Sequence, residues 1–191
     1  AMFGITEDWR LVNASGWKVE NEPWMVPEVL KKAVYMTGND EYLLVLTEDG
    51  KLYTCQCEDN ALGTEPPDWE QWNELQAIET AWIFSGEYPK RRPMIAYAGV
   101  RTDGSVMGHP AVVHDAVKGW TDMKEAEIGG RWVVGLKTDG SCISAGLEGE
   151  AALDVSGWTE VETIEVGNDF CVGLKKDGTL VFAGDFFHEM D

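Results

Sequence analysis

The residues of this chain with the most obvious capacity for chemistry are three histidines, four cysteines and a set of Asp-Gly pairs. The histidines are His109, His114 and His188. The stretch "GHPAVVHD" holds two of them at a spacing that suits neither one face of a strand nor one face of a helix. No Ser-His-Asp or Cys-His arrangement stands out, so separate surface histidines are expected. Cys55 and Cys57 lie two apart in "KLYTCQCED" and would share one side of a strand, a poor geometry for a disulfide with each other. Cys142 and Cys171 lie in apolar runs, where a thiol behaves as a small hydrophobe. No Cys-x-x-Cys pair exists, which argues against a zinc ribbon. The Asp-Gly pairs do not make calcium loops, because "KTDGSCIS" offers one carboxylate where such a loop needs several and a closing Glu. They read as turns, and no metal or cofactor is expected.

Charge is the strongest compositional signal. Thirty-four acidic residues against fifteen basic ones give a net charge of −19 over 191 residues. Such a surface repels nucleic acid and anionic membrane, and it steers a basic partner inward. The same acidity also serves solubility alone. Hydrophobic residues make up 44 % and charged residues 26 %, the profile of a globular protein. No apolar run reaches the length of a membrane span. The start "AMFGITEDWRL" lacks the basic and apolar parts of a secretory leader, and with reduced thiols the expected compartment is the cytosol.

The elements that would position any site come from a repeat. "GWTDMKEAEIGGRWVVGLKTDGSCISAG" covers residues 119–146, and "GWTEVETIEVGNDFCVGLKKDGTLVFAG" covers residues 157–184. The two align without a gap, and about half the positions are identical. Each line holds short β-branched runs broken by Gly and by Asp-Gly. Asp-Gly between alternating apolar runs signals a hairpin, and a type I′ turn is expected, with positive φ at both residues. Weaker copies place the same turn at Asp49-Gly50 and Asp103-Gly104, beside Asp139-Gly140 and Asp177-Gly178. The reading is one repeat domain over residues 1–191. It has a leading tail at 1–20 and units at about 21–57, 68–109, 119–146 and 157–184. One such unit cannot bury both sheet faces, so units must stack.

The order of an apolar residue, Gly-Gly or Gly-Asn, an apolar-Gly-Leu-Lys run, Asp-Gly and a closing Ala-Gly resembles the regulator-of-chromosome-condensation repeat. The Gly-Trp lead-ins at Gly119-Trp120 and Gly157-Trp158 resemble its short bacterial form. The resemblance implies an all-β, antiparallel β-propeller of about four short blades, closed by itself or as an arc completed by a second copy. It departs from the family where a His usually follows the Gly pair, since Arg131-Trp132 and Asp169-Phe170 stand there. It implies a non-catalytic protein-binding module, such as an inhibitor or immunity-type protein against a basic partner. No residue here carries over the nucleotide exchange of the founding member.

Two segments are candidate partner surfaces. "GTEPPDWEQWNE" offers Glu65, Asp68, Trp69, Glu70 and Trp72, aromatic anchors among acids, or else the lead-in of the second unit. "YPKRRP" is an inserted loop offering Tyr88, Lys90, Arg91 and Arg92. Trp17, Trp120 and Trp158 recur after Gly and are expected in the core. The alternatives are an enzyme with a channel site using His109, Asp115 or Glu165, and a sugar-binding propeller using exposed Trp. Neither shows a recurring set of suitable residues.

Overall fold

Short β-branched and aromatic runs become strands, and the glycines between them become turns. The structure, a computed structural model, describes residues 3–13, 22–39, 42–56, 67–85 and 92–185. Its first hairpin pairs β1 (Phe3–Ile5) with β2 (Leu11–Asn13). Four three-stranded sheets follow in chain order. The first holds β3 (Ala33–Gly38), β4 (Tyr42–Thr47) and β5 (Leu52–Gln56), and the second holds β6 (Leu75–Ser85), β7 (Arg92–Arg101) and β8 (Val106–His109). The third holds β9 (Met123–Ile128), β10 (Trp132–Lys137) and β11 (Cys142–Gly146), and the fourth holds β12 (Val161–Val166), β13 (Phe170–Lys175) and β14 (Leu180–Gly184). The fold is an all-β, propeller-like array of small antiparallel sheets. Among the described residues no helix is long and apolar enough to cross a membrane.

The middle strand of each sheet is the apolar one. All six residues of β4 ("YLLVLT") are buried, as are the first five of β10 ("WVVGLK"). A strand covered on both faces reads as a continuous apolar run, and an outer strand alternates. In β12 ("VETIEV") Val161 and Ile164 are buried and the glutamates exposed, with a bulge between Val161 and Thr163 shifting the phase of the alternation.

The chain divides into two compact units, Ala1–Gln76 and Ala77–Asp191. In the first, Leu43, Val45 and Cys55 form a small core covered by Leu11, Trp24 and Met25. In the second, β9 packs on β7, and β12 packs on β9 and β10, so consecutive sheets stack face to face. One core joins Ala96, Ala98 and Val100 of β7 to Met123, Ala126 and Ile128 of β9. The next joins Val134 and Leu136 of β10 to Val155, Trp158, Val161 and Ile164.

The lead-in tryptophans explain the glycine of each Val-Gly-Leu run. A Cβ at Gly135 would meet the Trp120 ring at 2.8 Å, and one at Gly173 would meet the Trp158 ring at 2.8 Å. The indole packs against the middle strand at this glycine, and only Gly leaves room for it. In the first sheet Leu30 and Val45 occupy the corresponding positions, counted back from the turn glycine, and both are fully buried. Trp17 lies outside the described residues.

The hairpin turns differ from the expected type I′. Gly50, Gly104, Gly140 and Gly178 have φ between 77° and 84°, but none of the preceding aspartates has positive φ. In the third sheet the Gly140 N–H donates to Lys137 O, and the Lys137 N–H donates to Ser141 O. That is a tight turn followed by a left-handed glycine, a three-residue hairpin loop with a bulge. The aspartate drives this choice. Asp139 Oδ1 accepts from the Ser141 N–H at 2.9 Å and from its hydroxyl at 2.6 Å, and Asp177 accepts from Thr179 in the same way. Those bonds hold Asp in its ordinary conformation and leave the left-handed position to Gly alone.

Two helices were not anticipated. α1 (Pro27–Leu30) is a single turn just before β3, and "AVVHDAV" forms α2 (Ala111–Val117) between the second and third sheets, with Val113 and Val117 buried one turn apart. The spacing is helical, but the stretch is too short to stand out in the sequence.

Candidate functional site

Of the nine residues expected to touch a partner, Glu65, Tyr88, Lys90 and Arg91 lie outside the described residues. Arg92 opens β7 and is exposed. The remaining four form one short structure in the first unit. Asp68 caps a single 3-10 turn, Trp69–Gln71, accepting from the Glu70 N–H at 3.3 Å and from Gln71 Nε2 at 2.8 Å. Asp68 and Glu70 are exposed, and Trp69 is half-buried. Its ring stands edge-on to Tyr42 and to Trp72, with centroids 5.7 Å and 5.9 Å away. Two neighbouring aromatic rings thus hold the Trp69 indole in place, and two carboxylates flank it.

Trp72 corrects the reading of this segment as two surface anchors. It is only 5 % exposed. It stands three residues before Leu75, where β6 begins, as Trp120 precedes Met123 and Trp158 precedes Val161. Trp72 is therefore the lead-in tryptophan of the second sheet, a core residue. The sequence held this lead-in role open beside the surface role, with no Gly ahead of Trp72 to mark it.

The residues considered for a channel enzyme lie on three different elements. His109 ends β8 beside Tyr97, with ring centroids 6.3 Å apart, Asp115 is exposed on α2, and Glu165 is exposed on β12. His114 is exposed on α2, and His188 lies outside the described residues. Among the described residues no three His, Cys, Asp or Glu side chains come together as metal ligands.

The sequence reading missed a different set of acids. Glu127 and Glu165 stand at the same place in the two aligned lines, and Glu79 holds that place in β6. Burial, then the neighbouring charges of Glu79, Glu165 and Glu125, pushes the Glu127 carboxyl up to about 9. It therefore keeps its proton at neutral pH. Burial likewise raises the thiols of Cys142 and Cys171 to about 11 and about 12. Protonated thiols are poor nucleophiles, so the cluster offers no thiolate for covalent catalysis. At the other end of the strands, Arg131 Nε lies 3.4 Å from Asp169 Oδ1. These two residues hold equivalent places in the repeat, so an ion pair between successive sheets stands where the family pattern has His.

No protein-family model matches the chain, and no curated protein matches it. Its fold is similar to that of human WBSCR16, with a TM-score of 0.52 at 16 % identity, over 80 % of this chain and 47 % of that one. The chain therefore spans about half the length of that protein. It also aligns with the CRINKLY WD40 ectodomain of the Arabidopsis thaliana receptor kinase ACR4, with a TM-score of 0.46 at 16 % identity, over 81 % of this chain and 66 % of that one. A third alignment is with yeast RCC1 (Prp20) in its complex with Kap60, with a TM-score of 0.46 at 14 % identity, over 85 % of this chain and 45 % of that one. At 16 % identity the likeness to WBSCR16 bears on the fold alone.

Proposed function

We propose that this chain is a non-catalytic protein-binding module of the regulator-of-chromosome-condensation-like type, and that its partner is a basic protein. The observation that carries the reading is the net charge of −19 on an array of small antiparallel sheets. Such a field accelerates encounter with a cation-rich surface and disfavours nucleic acid and anionic lipid. The exposed carboxylates of Asp68 and Glu70 beside the braced Trp69 supply the anchor and rim of a binding spot. An inhibitory or immunity-type role, neutralising a basic protein in the cytosol, is the use that best suits this combination.

The test begins with a pull-down from the source cell and identification of the captured protein by mass spectrometry. The association rate with that partner is then expected to fall steeply with added salt, while dissociation changes less. D68N with E70Q should slow association, and W69A should speed dissociation about tenfold or more. A partner whose binding ignores both salt and these substitutions overturns the reading. Loss of binding on changing Lys90, Arg91 and Arg92 to Ala, with no effect of the acidic changes, moves the surface to the basic loop and makes the partner acidic. Turnover of a small molecule by the pure protein, abolished by substitution of His109 or Glu165, restores the enzyme alternative.

A further inference from the structure

The repeat separates what the fold needs at the acidic segment from what it does not. In the second, third and fourth sheets the lead-in tryptophan donates its backbone N–H to the residue three places earlier. Trp72 donates to Trp69 O, Trp120 to Val117 O and Trp158 to Val155 O, each at 3.0 Å. Val117 and Val155 are buried, so a valine meets the packing requirement at this place. The second sheet carries a half-buried tryptophan there instead. Its Nε1 is buried, so what solvent reaches of the indole is carbon. Glu70, the next residue, is equally particular to this sheet, because its counterparts are Lys118 and Ser156. The surrounding sequence is one-sided in charge. The 38 residues between Lys51 and Lys90 hold eight acidic side chains and no Lys, Arg or His.

We infer that Trp69 is a stacking plate for an arginine side chain of the partner, whose guanidinium N–H groups reach the carboxylates of Asp68 and Glu70. The inference rests on the basic-partner reading and names the group that is recognised. The face of an aromatic ring attracts a cation, and indole does so best. A guanidinium is planar and weakly hydrated, so it lies flat on a ring while its N–H groups project past the rim. The exposed carboxylates, one residue before and one after Trp69, stand where such groups emerge. A lysine ammonium is compact and strongly hydrated, and it gains less from a flat plate. The plate is held in place by the edge-on rings of Tyr42 and Trp72, so little side-chain freedom is lost on binding. Capping does not compete with this use. Asp68 Oδ1 accepts from the Glu70 N–H and Oδ2 from Gln71 Nε2, and each oxygen keeps a second lone pair.

The experiment titrates the full chain with hexa-arginine and with hexalysine, peptides of equal charge, at one ionic strength. Hexa-arginine is expected to bind about threefold or more tighter. W69V installs the residue that the third and fourth sheets use, and it should bring the two affinities together without abolishing either. W69F keeps an aromatic plate and should retain most of the preference, with circular dichroism checking that both variants fold. D68N with E70Q should weaken both peptides. The parent chain gives a second readout. The Trp69 indole N–H, assigned as the resonance that W69F removes, should shift with hexa-arginine along the same binding curve. Equal affinities in the parent, a preference that survives W69V, or an indole resonance that stays still overturns the inference. Salt-dependent binding of both peptides in those cases leaves the basic-partner reading standing. Binding of neither peptide overturns both.

Discussion

The third and fourth sheets carry closely matching sequences and differ in what lies on them. Leu136 is 0 % exposed, and Leu174, at the same place in the same hairpin, is half-buried. A Cβ at Gly140 would crowd the backbone of Glu160 and Val161, and one at Gly178 would meet nothing within 4 Å. Strands, turns and the Trp-on-Gly contact are local and repeat with the sequence. Burial of the outward face of the third sheet is supplied by the segment that follows it, from Val155 to Ile164.

Replacing Leu136 and Leu174 separately by Ala breaks or sharpens that contrast with the largest effect. Leu136→Ala empties a site closed on all sides and is expected to cost about 2–5 kcal/mol. Leu174→Ala removes a side chain already partly in water and is expected to cost about 1–2 kcal/mol, since less transfer energy is lost and no closed cavity forms. Urea unfolding in dilute solution measures both. Equal losses would mean that the fourth sheet is covered in solution as fully as the third.

The repeat, the four turn positions and the core role of Trp120 and Trp158 were legible in the sequence, because each depends on residues close together in the chain. The turn type was not, because it hinges on whether the Asp side chain bonds its own backbone neighbours or leaves Asp to take positive φ. The two roles of Trp72, lead-in or surface anchor, stayed open in the sequence, because no Gly precedes it and acids surround it. The burial of Glu127 was invisible. Its strand "MKEAEI" alternates polar and apolar residues like a half-solvated outer strand, and nothing local says that the following sheet closes over the polar side.

Glu127 supplies the second test. Its carboxyl titrates near 9 in the folded chain against an ordinary 4.5, chiefly through burial and then through Glu79, Glu165 and Glu125. Between those values the folded state binds more protons than the unfolded one. The contribution to stability is therefore full below about 4.5 and lost as pH rises toward 9. At pH 7 the loss is up to about 3 kcal/mol, at about 1.4 kcal/mol for each pH unit. Glu127→Gln keeps the shape without the charge. It should melt above the parent at pH 8 and close to it at pH 5. A parent whose melting midpoint is flat from pH 5 to 8 would show that Glu127 is not held between the sheets.

The turn glycines give the smallest effect and the most local one. Gly140 and Gly178 have φ of 83° and 84°, so Val at either place meets the same backbone strain, about 1–2 kcal/mol. The neighbourhoods differ. The Val161 N–H donates to Gly140 O at 3.0 Å, and a Cβ at residue 140 would stand 3.2 Å from Glu160 Cα and Val161 O, closer than side chains normally approach a backbone. Gly140→Val must therefore push the turn away from the start of β12, adding about 1 kcal/mol to the strain. Unfolding midpoints should rank parent, then Gly178→Val, then Gly140→Val. Hydrogen exchange separates strain from displacement. The Val161 amide, which donates to Gly140 O, should exchange faster in Gly140→Val and unchanged in Gly178→Val. Equal midpoints with a protected Val161 amide would mean that the turn and the next strand are joined more loosely than this geometry has them.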